Sequence, residues 1–108
     1  MNRGDVVIVA ARGPYTGKPR PAVVVQSDDF NATHASVTVC LISSDRVAAP
    51  AFRIAVPGGA ETGLLVDSQV MVDKLITLHS DQLRVTVGRI EAGAMAEIND
   101  ALRRWLSL

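Results

Sequence analysis

One arginine stands between two prolines in the segment Gly17-Lys18-Pro19-Arg20-Pro21, which continues into the apolar run 22–25. Each proline fixes its own φ angle and biases the residue before it toward an extended backbone. Arg20 therefore lies on a stiffened segment, which delivers its guanidinium to a fixed place at low entropic cost. A guanidinium held in this way is suited to binding a phosphate or to stabilising charge that develops there.

Further polar side chains follow predicted strands at points from which they could reach Arg20. Ser43 and Ser44 follow the third predicted strand, and Asp73 and Lys74 end a strand that begins at residue 70. In a small barrel, strand ends that are far apart in sequence can converge on one groove. A cation, a hydroxyl, an acid and an amine in one groove would bind a phosphodiester. Ordinary strand-end residues are the alternative that the pattern leaves open.

Other kinds of site receive little support from the residues. His34 and His79 are isolated, and no carboxylate stands at ligand spacing from either, so the sequence predicts no metal ligands. The pair Asp28-Asp29 belongs to a turn cluster. No nucleophile-elbow motif is present, although a Ser-His-Asp triad stays open.

The elements that must position these residues are mostly strands. Short apolar runs predict strands at 6–10, 22–26, 36–42, 52–56, 64–66, 70–73 and 84–88. We expect a loop over 11–19, a turn over 27–31 and one helical turn over 79–83. The one long helix is predicted over about 91–106, where Met95, Ile98, Leu102 and Trp105 form one apolar stripe. Short strands followed by one helix predict an α+β fold, a small curled antiparallel barrel with a C-terminal helix packed on it.

Composition limits the function classes. The chain has 108 residues, which predicts one domain over 1–108. Its eleven basic and eleven acidic residues cancel, which argues against wrapping long duplex DNA by charge alone. Cys40 lies in an apolar run and is expected to be buried. The first residues lack the apolar stretch of a signal peptide, and no apolar run approaches the roughly 20 residues of a membrane span, so we expect a cytoplasmic protein.

Three segments, taken together and in this order, resemble the MazF/PemK (Kid) family of type II toxin–antitoxin systems. They are Arg3–Val7, Gly17–Asp28 and Asp67–Leu75, and the similarity extends through the terminal helix. The resemblance implies a small SH3-like barrel that forms homodimers. It also implies an endoribonuclease, or mRNA interferase, that cuts single-stranded RNA at short sequences without a metal or other cofactor. In such enzymes the ribose 2′-OH attacks the adjacent phosphate and leaves a 2′,3′-cyclic phosphate and a 5′-OH.

The resemblance also assigns catalytic roles. Arg20 matches the family's catalytic arginine, and its guanidinium would stabilise the charged phosphorane. Ser43 falls where many members have a catalytic threonine at the end of strand three. Asp73 matches the aspartate that the Kid branch uses as an acid/base residue, but Met71 replaces the arginine of that branch.

RNA-binding roles are predicted for four further residues. Lys18 or Lys74 would supply the positive charge that Met71 lacks, and Ser44 adds a hydroxyl beside Ser43. Tyr15 would stack on a base, with packing inside the turn as its alternative.

The expected protein partner is a cognate antitoxin, whose flexible acidic tail would lie in the substrate groove. Two alternatives to an active ribonuclease remain. A CcdB-like binding toxin shares this fold and poisons DNA gyrase without cutting RNA, and Trp105 near the C-terminus faintly resembles its functional tail. A degenerate member that no longer cuts is the other, because Ser43 and Met71 depart from the family pattern.

Overall fold

The computed structural model describes residues 1–10 and 18–108 of the chain. Its strands are β1 (Asp5–Val9), β2 (Arg20–Val24), β3 (Ser36–Ser43), β4 (Arg53–Val56), β5 (Ser68–His79) and β6 (Leu83–Arg89). The helices are the single turn α1 (Asp28–Asn31), a 3-10 turn (Ser80–Gln82) and α2 (Ala92–Leu106). Most of the loop predicted over 11–19 lies outside the described residues. Strands come first and one long helix follows them, which confirms the predicted α+β class.

The six strands form one antiparallel sheet in the order β4-β5-β3-β2-β1-β6. Both faces of its central strands are buried. Val23 belongs to a core cluster that includes Ile98 of α2, whereas the paired residues Ala22 and Leu41 belong to a second cluster. Because neither face is exposed to water, these strands show continuous apolar runs instead of an alternation of apolar and polar residues.

One strand prediction is wrong, and another has the wrong bounds. Residues 64–66 lie in a loop, although their sequence Leu-Leu-Val resembles a strand. The strand predicted over 70–73 belongs to the longer β5, and a change of register opposite Cys40–Ile42 puts an irregularity into it. Asp73 and Lys74 therefore lie within β5 and not at the end of a strand.

Smaller differences concern boundaries. β2 begins at Arg20, so the arginine and Pro21 are the first strand residues and do not precede the strand. The cluster predicted as a turn over 27–31 contains one turn of helix, because the Ser27 hydroxyl accepts a hydrogen bond from the Asp29 amide at 3.2 Å. The helical turn predicted over 79–83 is confirmed as the 3-10 turn.

Helix α2 matches its predicted span. Glu91 caps its N-terminus by accepting a hydrogen bond from the Ala94 amide at 2.9 Å. Ile98 is fully buried, and the predicted stripe also brings Met95 and Leu102 against the core. The helix therefore closes one face of the sheet with its apolar side.

The N-terminal Arg3-Gly4-Asp5 motif holds the first strand in place. The Arg3 guanidinium donates to the Val25 carbonyl at 2.8 Å and to the Asn99 side chain on α2 at 2.6 Å. Asp5 is buried and accepts from Arg89 at 3.0 Å. The motif thus connects β1, β2, β6 and α2, and its role is structural.

Cys40 lies at zero exposure in the core, as expected. Burial raises the pKa of its thiol to about 12, so the side chain behaves as a small apolar group. Among the described residues, no helix has both the length and the apolar character needed to cross a membrane.

Candidate active site

A cavity of about 370 Å³ opens where β2 begins and β3 ends. Arg20 lines it from β2, and Ser43, Ser44 and Asp45 line it from the end of β3 and the turn that follows. Arg20 and Ser43 are partly buried, whereas Ser44 and Asp45 are exposed. The cavity therefore joins a guanidinium, two hydroxyls and one carboxylate.

The strand register explains why residues 23 positions apart meet. Ala22 pairs with Leu41, so continuing the same antiparallel register by two residues places Arg20 opposite Ser43. On its other side Arg20 pairs with Val9 of β1, a residue with no exposure. The paired residues Ala22 and Leu41 lie on the same face of the sheet. Residues two apart on a strand share a face, so Arg20 and Ser43 project to that same side. The structure thus brings Arg20, Ser43 and Ser44 together.

The Ser43 hydroxyl is held by the turn after β3. Its oxygen accepts a hydrogen bond from the Asp45 amide at 3.0 Å. A hydroxyl that accepts in this way keeps its own proton for donation. Ser43 can therefore donate to an oxygen in the cavity while the turn fixes its position.

The loop between β4 and β5 adds apolar residues to the cavity lining. Leu64 is buried at 7% exposure, whereas Leu65 is 100% exposed and Val66 is 54% exposed. These are the residues predicted as a strand. Instead, they place two exposed aliphatic side chains beside the polar groups of the cavity.

Asp73 lies elsewhere and is engaged by a different arginine. Its two carboxylate oxygens accept from Nε and Nη2 of Arg53, at 2.9 and 3.1 Å. The two side chains are only 14% and 15% exposed. Asp73 is not among the described residues that line the Arg20 cavity. A parallel two-bond pair of this kind fixes both side chains.

The Arg53–Asp73 pair continues into an aromatic contact with α2. The Arg53 guanidinium carbon lies 5.9 Å from the centre of the Phe52 ring. Phe52 in turn packs on Trp105, with 5.7 Å between the ring centres. Trp105 thus has a packing partner from the β4 side, and this set of contacts joins β4, β5 and α2.

The remaining predicted RNA-binding residues are Lys18, Lys74 and Tyr15. Lys18 is exposed, two residues before Arg20, and Lys74 is partly buried in β5. Neither lies among the described residues of the lining. Tyr15 falls outside the described residues.

Asp45, Leu65 and Val66 were not predicted to belong to a site. Asp45 follows two serines at the end of a strand, which is the ordinary composition of a turn. Leu65 and Val66 sit in an apolar run that indicated a strand. Only their position beside Arg20 distinguishes them.

The histidines have local structural contacts. His34 packs edge-on against Phe30 with ring centres 5.6 Å apart, and His79 accepts from the Asp81 amide at 3.2 Å. Within residues 1–10 and 18–108, no group of three or more histidine, cysteine or acidic side chains is placed to hold a metal ion.

Comparisons with known proteins place this geometry in a family. The model of the PemK-like, MazF-like toxins of type II toxin–antitoxin systems matches residues 2–106. A probable endoribonuclease MazF of Mycolicibacterium smegmatis is 42% identical over 108 residues, which span 100% of this chain and 98% of that protein. Endoribonuclease MazF9 of Mycobacterium tuberculosis is 30% identical over 116 residues, covering 100% of this chain and 98% of its own length.

Solved structures agree on the fold. An endoribonuclease in complex with its cognate antitoxin, from a mycobacterial species, superposes with a TM-score of 0.81 at 25% identity, covering 100% of this chain and 96% of the other. MazF from Deinococcus radiodurans gives a TM-score of 0.82 at 21% identity, covering 100% and 97%. The predicted SH3-like toxin fold is confirmed by these likenesses. The chain therefore belongs to the PemK-like, MazF-like toxins of type II toxin–antitoxin systems and is an endoribonuclease of that family.

Proposed function

We propose that this endoribonuclease cuts single-stranded RNA, including mRNA, at the Arg20 cavity, at short recognition sequences and without a metal ion. The observation that carries the proposal is the shared lining of one cavity by Arg20, Ser43 and Ser44. A guanidinium and two hydroxyls supply hydrogen-bond donors for a phosphate, and they do so from neighbouring strand ends. The proposal treats residues 1–108 as one toxin domain.

The reaction is an internal transfer at phosphorus. The ribose 2′-oxygen forms a bond to the phosphorus and loses its proton to a base, while the bond to the 5′-oxygen breaks and that oxygen gains a proton. The products are a 2′,3′-cyclic phosphate and a 5′-OH. Arg20 donates to the non-bridging oxygens as negative charge builds on them, and Ser43 adds a neutral donor. Stabilisation of this kind acts on the transition state and therefore raises kcat.

The roles of the other predicted residues are proposed from the sequence. Ser44 and Lys18 bind the RNA backbone on either side of Arg20, Lys74 adds positive charge from β5, and Tyr15 stacks on a base. The resemblance implies an acid/base role for Asp73, but we propose that Asp73 serves the fold. Its two hydrogen bonds from Arg53, at 2.9 and 3.1 Å, would have to open before it exchanged a proton with RNA.

We further propose that the protein acts as a cytoplasmic homodimer that a cognate antitoxin inhibits. One structural neighbour is described as an endoribonuclease in complex with its cognate antitoxin, which supports the partner. A flexible acidic tail would compete with RNA for the cationic groups of the cavity. Light scattering at micromolar concentration should give twice the 11.5 kDa mass of the chain, whereas a uniform monomer would contradict the dimer.

The test of the function is the variant Arg20→Ala, assayed on single-stranded RNA. We expect kcat to fall by about 10²- to 10³-fold, because the main charge donor of the transition state is lost. Arg84→Ala, which removes an exposed arginine from β6, is the matched control and should cut normally. Addition of EDTA should leave the wild-type rate unchanged. Undiminished cleavage by Arg20→Ala would refute the assignment, and loss of activity with EDTA would refute the metal-free mechanism.

A further inference from the structure

The cavity contains two features that phosphate binding does not explain. Leu65 and Val66 expose aliphatic surface in the lining that also contains Arg20. Asp45 adds a carboxylate to this cavity, which is proposed to bind the RNA polyanion. A carboxylate repels phosphate, and the exposure of a leucine side chain to water is energetically unfavourable. Both features fit a nucleobase, which has apolar faces and a polar edge.

The loop that displays Leu65 and Val66 is held by its own hydrogen bonds. The Gly59 amide donates to the Leu64 carbonyl at 2.9 Å, and the Ser68 hydroxyl donates to the Val66 carbonyl at 2.8 Å. Leu64 anchors the same segment in the core. The two exposed side chains are therefore presented from a fixed backbone, which lowers the entropic cost of binding.

Two glycines hold the loop close to its surroundings. Gly63 has a φ of +74°, and a Cβ there would collide with the Val87 carbonyl of β6. A Cβ on Gly58 would lie 2.6 Å from the carbonyl carbon of Val66. The close approach at both points fixes where Leu65 and Val66 stand relative to the cavity.

Asp45 defines the polar edge of this surface. Its amide donates to the Ser43 hydroxyl at 3.0 Å, which ties the residue to a side chain of the proposed catalytic set. An ionised carboxylate only accepts hydrogen bonds, so it favours a base edge that carries N–H donors. Guanine offers N1–H and the N2 amino group side by side, and cytosine and adenine offer one amino group each. Uracil offers a single N–H between two carbonyl oxygens.

We propose that Leu65, Val66 and Asp45 form a subsite for the base next to the scissile phosphate, with guanine preferred and uracil disfavoured. The base lies with one face on Leu65 and Val66, and its donor edge meets the Asp45 carboxylate. The proposal rests on the proposed RNA cleavage at Arg20. It adds the base specificity that a phosphate-binding arginine by itself cannot give.

The test is cleavage of a randomised single-stranded RNA pool, with sequencing of the cut ends to give the base preference at each position. The wild type should prefer guanine at one position beside the cut. Asp45→Asn should reduce the guanine-over-uracil ratio at that position about tenfold, because an amide also donates to carbonyl oxygens. Leu65→Ala should raise KM roughly tenfold for RNAs with guanine there, through the loss of apolar contact.

Matched controls exist for both variants. Asp29→Asn removes an exposed carboxylate from α1, and Leu108→Ala removes a leucine that is 85% exposed at the C-terminus. Both should keep the wild-type preferences. Since Asp45 and Leu65 are exposed, their variants should melt at the wild-type temperature.

The outcomes separate the subsite from the cleavage reaction. If the wild type cuts RNA and the variants show the same base preferences as the wild type, the subsite is overturned and the proposed function stands. Preferences that change at two unrelated positions, or a Leu65→Ala variant that alters only the monomer–dimer balance, would also overturn it. A wild type that cuts no RNA would overturn the proposed function and the subsite with it.

Discussion

Two arginine-containing regions of this protein use the same residue types in opposite ways. Arg20 begins β2 and lines an open cavity with Ser43, Ser44 and the exposed Asp45. Arg53 begins β4 and is bound through two hydrogen bonds to Asp73, with both side chains about 15% exposed. The first arrangement leaves room for a ligand beside the guanidinium, and the second encloses the guanidinium between strands and an aromatic ring.

The difference follows from the neighbours of each arginine in the sheet. Arg20 pairs with Val9, and its register continues to Ser43, so its strand neighbours carry no opposite charge. Arg53 pairs with Met71 of β5, two residues from Asp73 on the same strand. A partly buried arginine that is bonded to an aspartate forms a structural pair, whereas a guanidinium that lines an open cavity beside hydroxyls is placed to contact an anion. We therefore propose RNA chemistry for the first region and stabilisation of the fold for the second.

The largest effect after that of Arg20 itself is expected at Ser43. Ser43→Ala should lower kcat about 100-fold, because it removes a hydroxyl donor from the cavity lining. The melting temperature should change little. Ser43→Thr restores the hydroxyl and should recover most of the rate. Single-turnover cleavage measures both variants. A Ser43→Ala protein that cuts at the wild-type rate would remove the hydroxyl from the mechanism.

The next effect is expected at Asp73, on stability. Asp73→Asn leaves the partly buried Arg53 without its charged partner and should lower the free energy of unfolding by about 2 kcal/mol, allowing for partial exposure. For a chain of this size the melting temperature should fall by roughly 10 °C. Below that temperature the variant should still cut RNA. A stable Asp73→Asn variant that has lost cleavage would instead make Asp73 the acid/base residue that the resemblance implies.

The sequence predicted the first region better than the second, for a physical reason. Arg20 and Ser43 lie near the ends of strands with continuous apolar runs, so these runs and the turn residues beside them are enough to place both residues. Asp73 was misplaced because a register change lets β5 continue past it to His79. Such an irregularity depends on pairing with two other strands and leaves no local signal.

The apolar part of the cavity lining could not be predicted for a related reason. Leu64-Leu65-Val66 has the composition of a strand, and only tertiary contacts turn it into a loop. Gly63 approaches the backbone of Val87 in β6, and Gly58 approaches the backbone of Val66 across the loop. The sequence alone does not reveal these contacts. The core, by contrast, was predictable, since Cys40 and the stripe of α2 are buried as their patterns indicate.

The central claim is that Arg20 serves the reaction and Arg53 serves the fold. It is tested most directly by measuring single-turnover RNA cleavage and thermal melting on the same preparations of Arg20→Ala and Arg53→Ala. Our account predicts that Arg20→Ala loses about 10²- to 10³-fold in rate with an almost unchanged melting temperature. Arg53→Ala should lose stability and still cut RNA below its melting temperature. A stable Arg53→Ala protein that no longer cuts, or an Arg20→Ala protein that cuts as fast as the wild type, would contradict it.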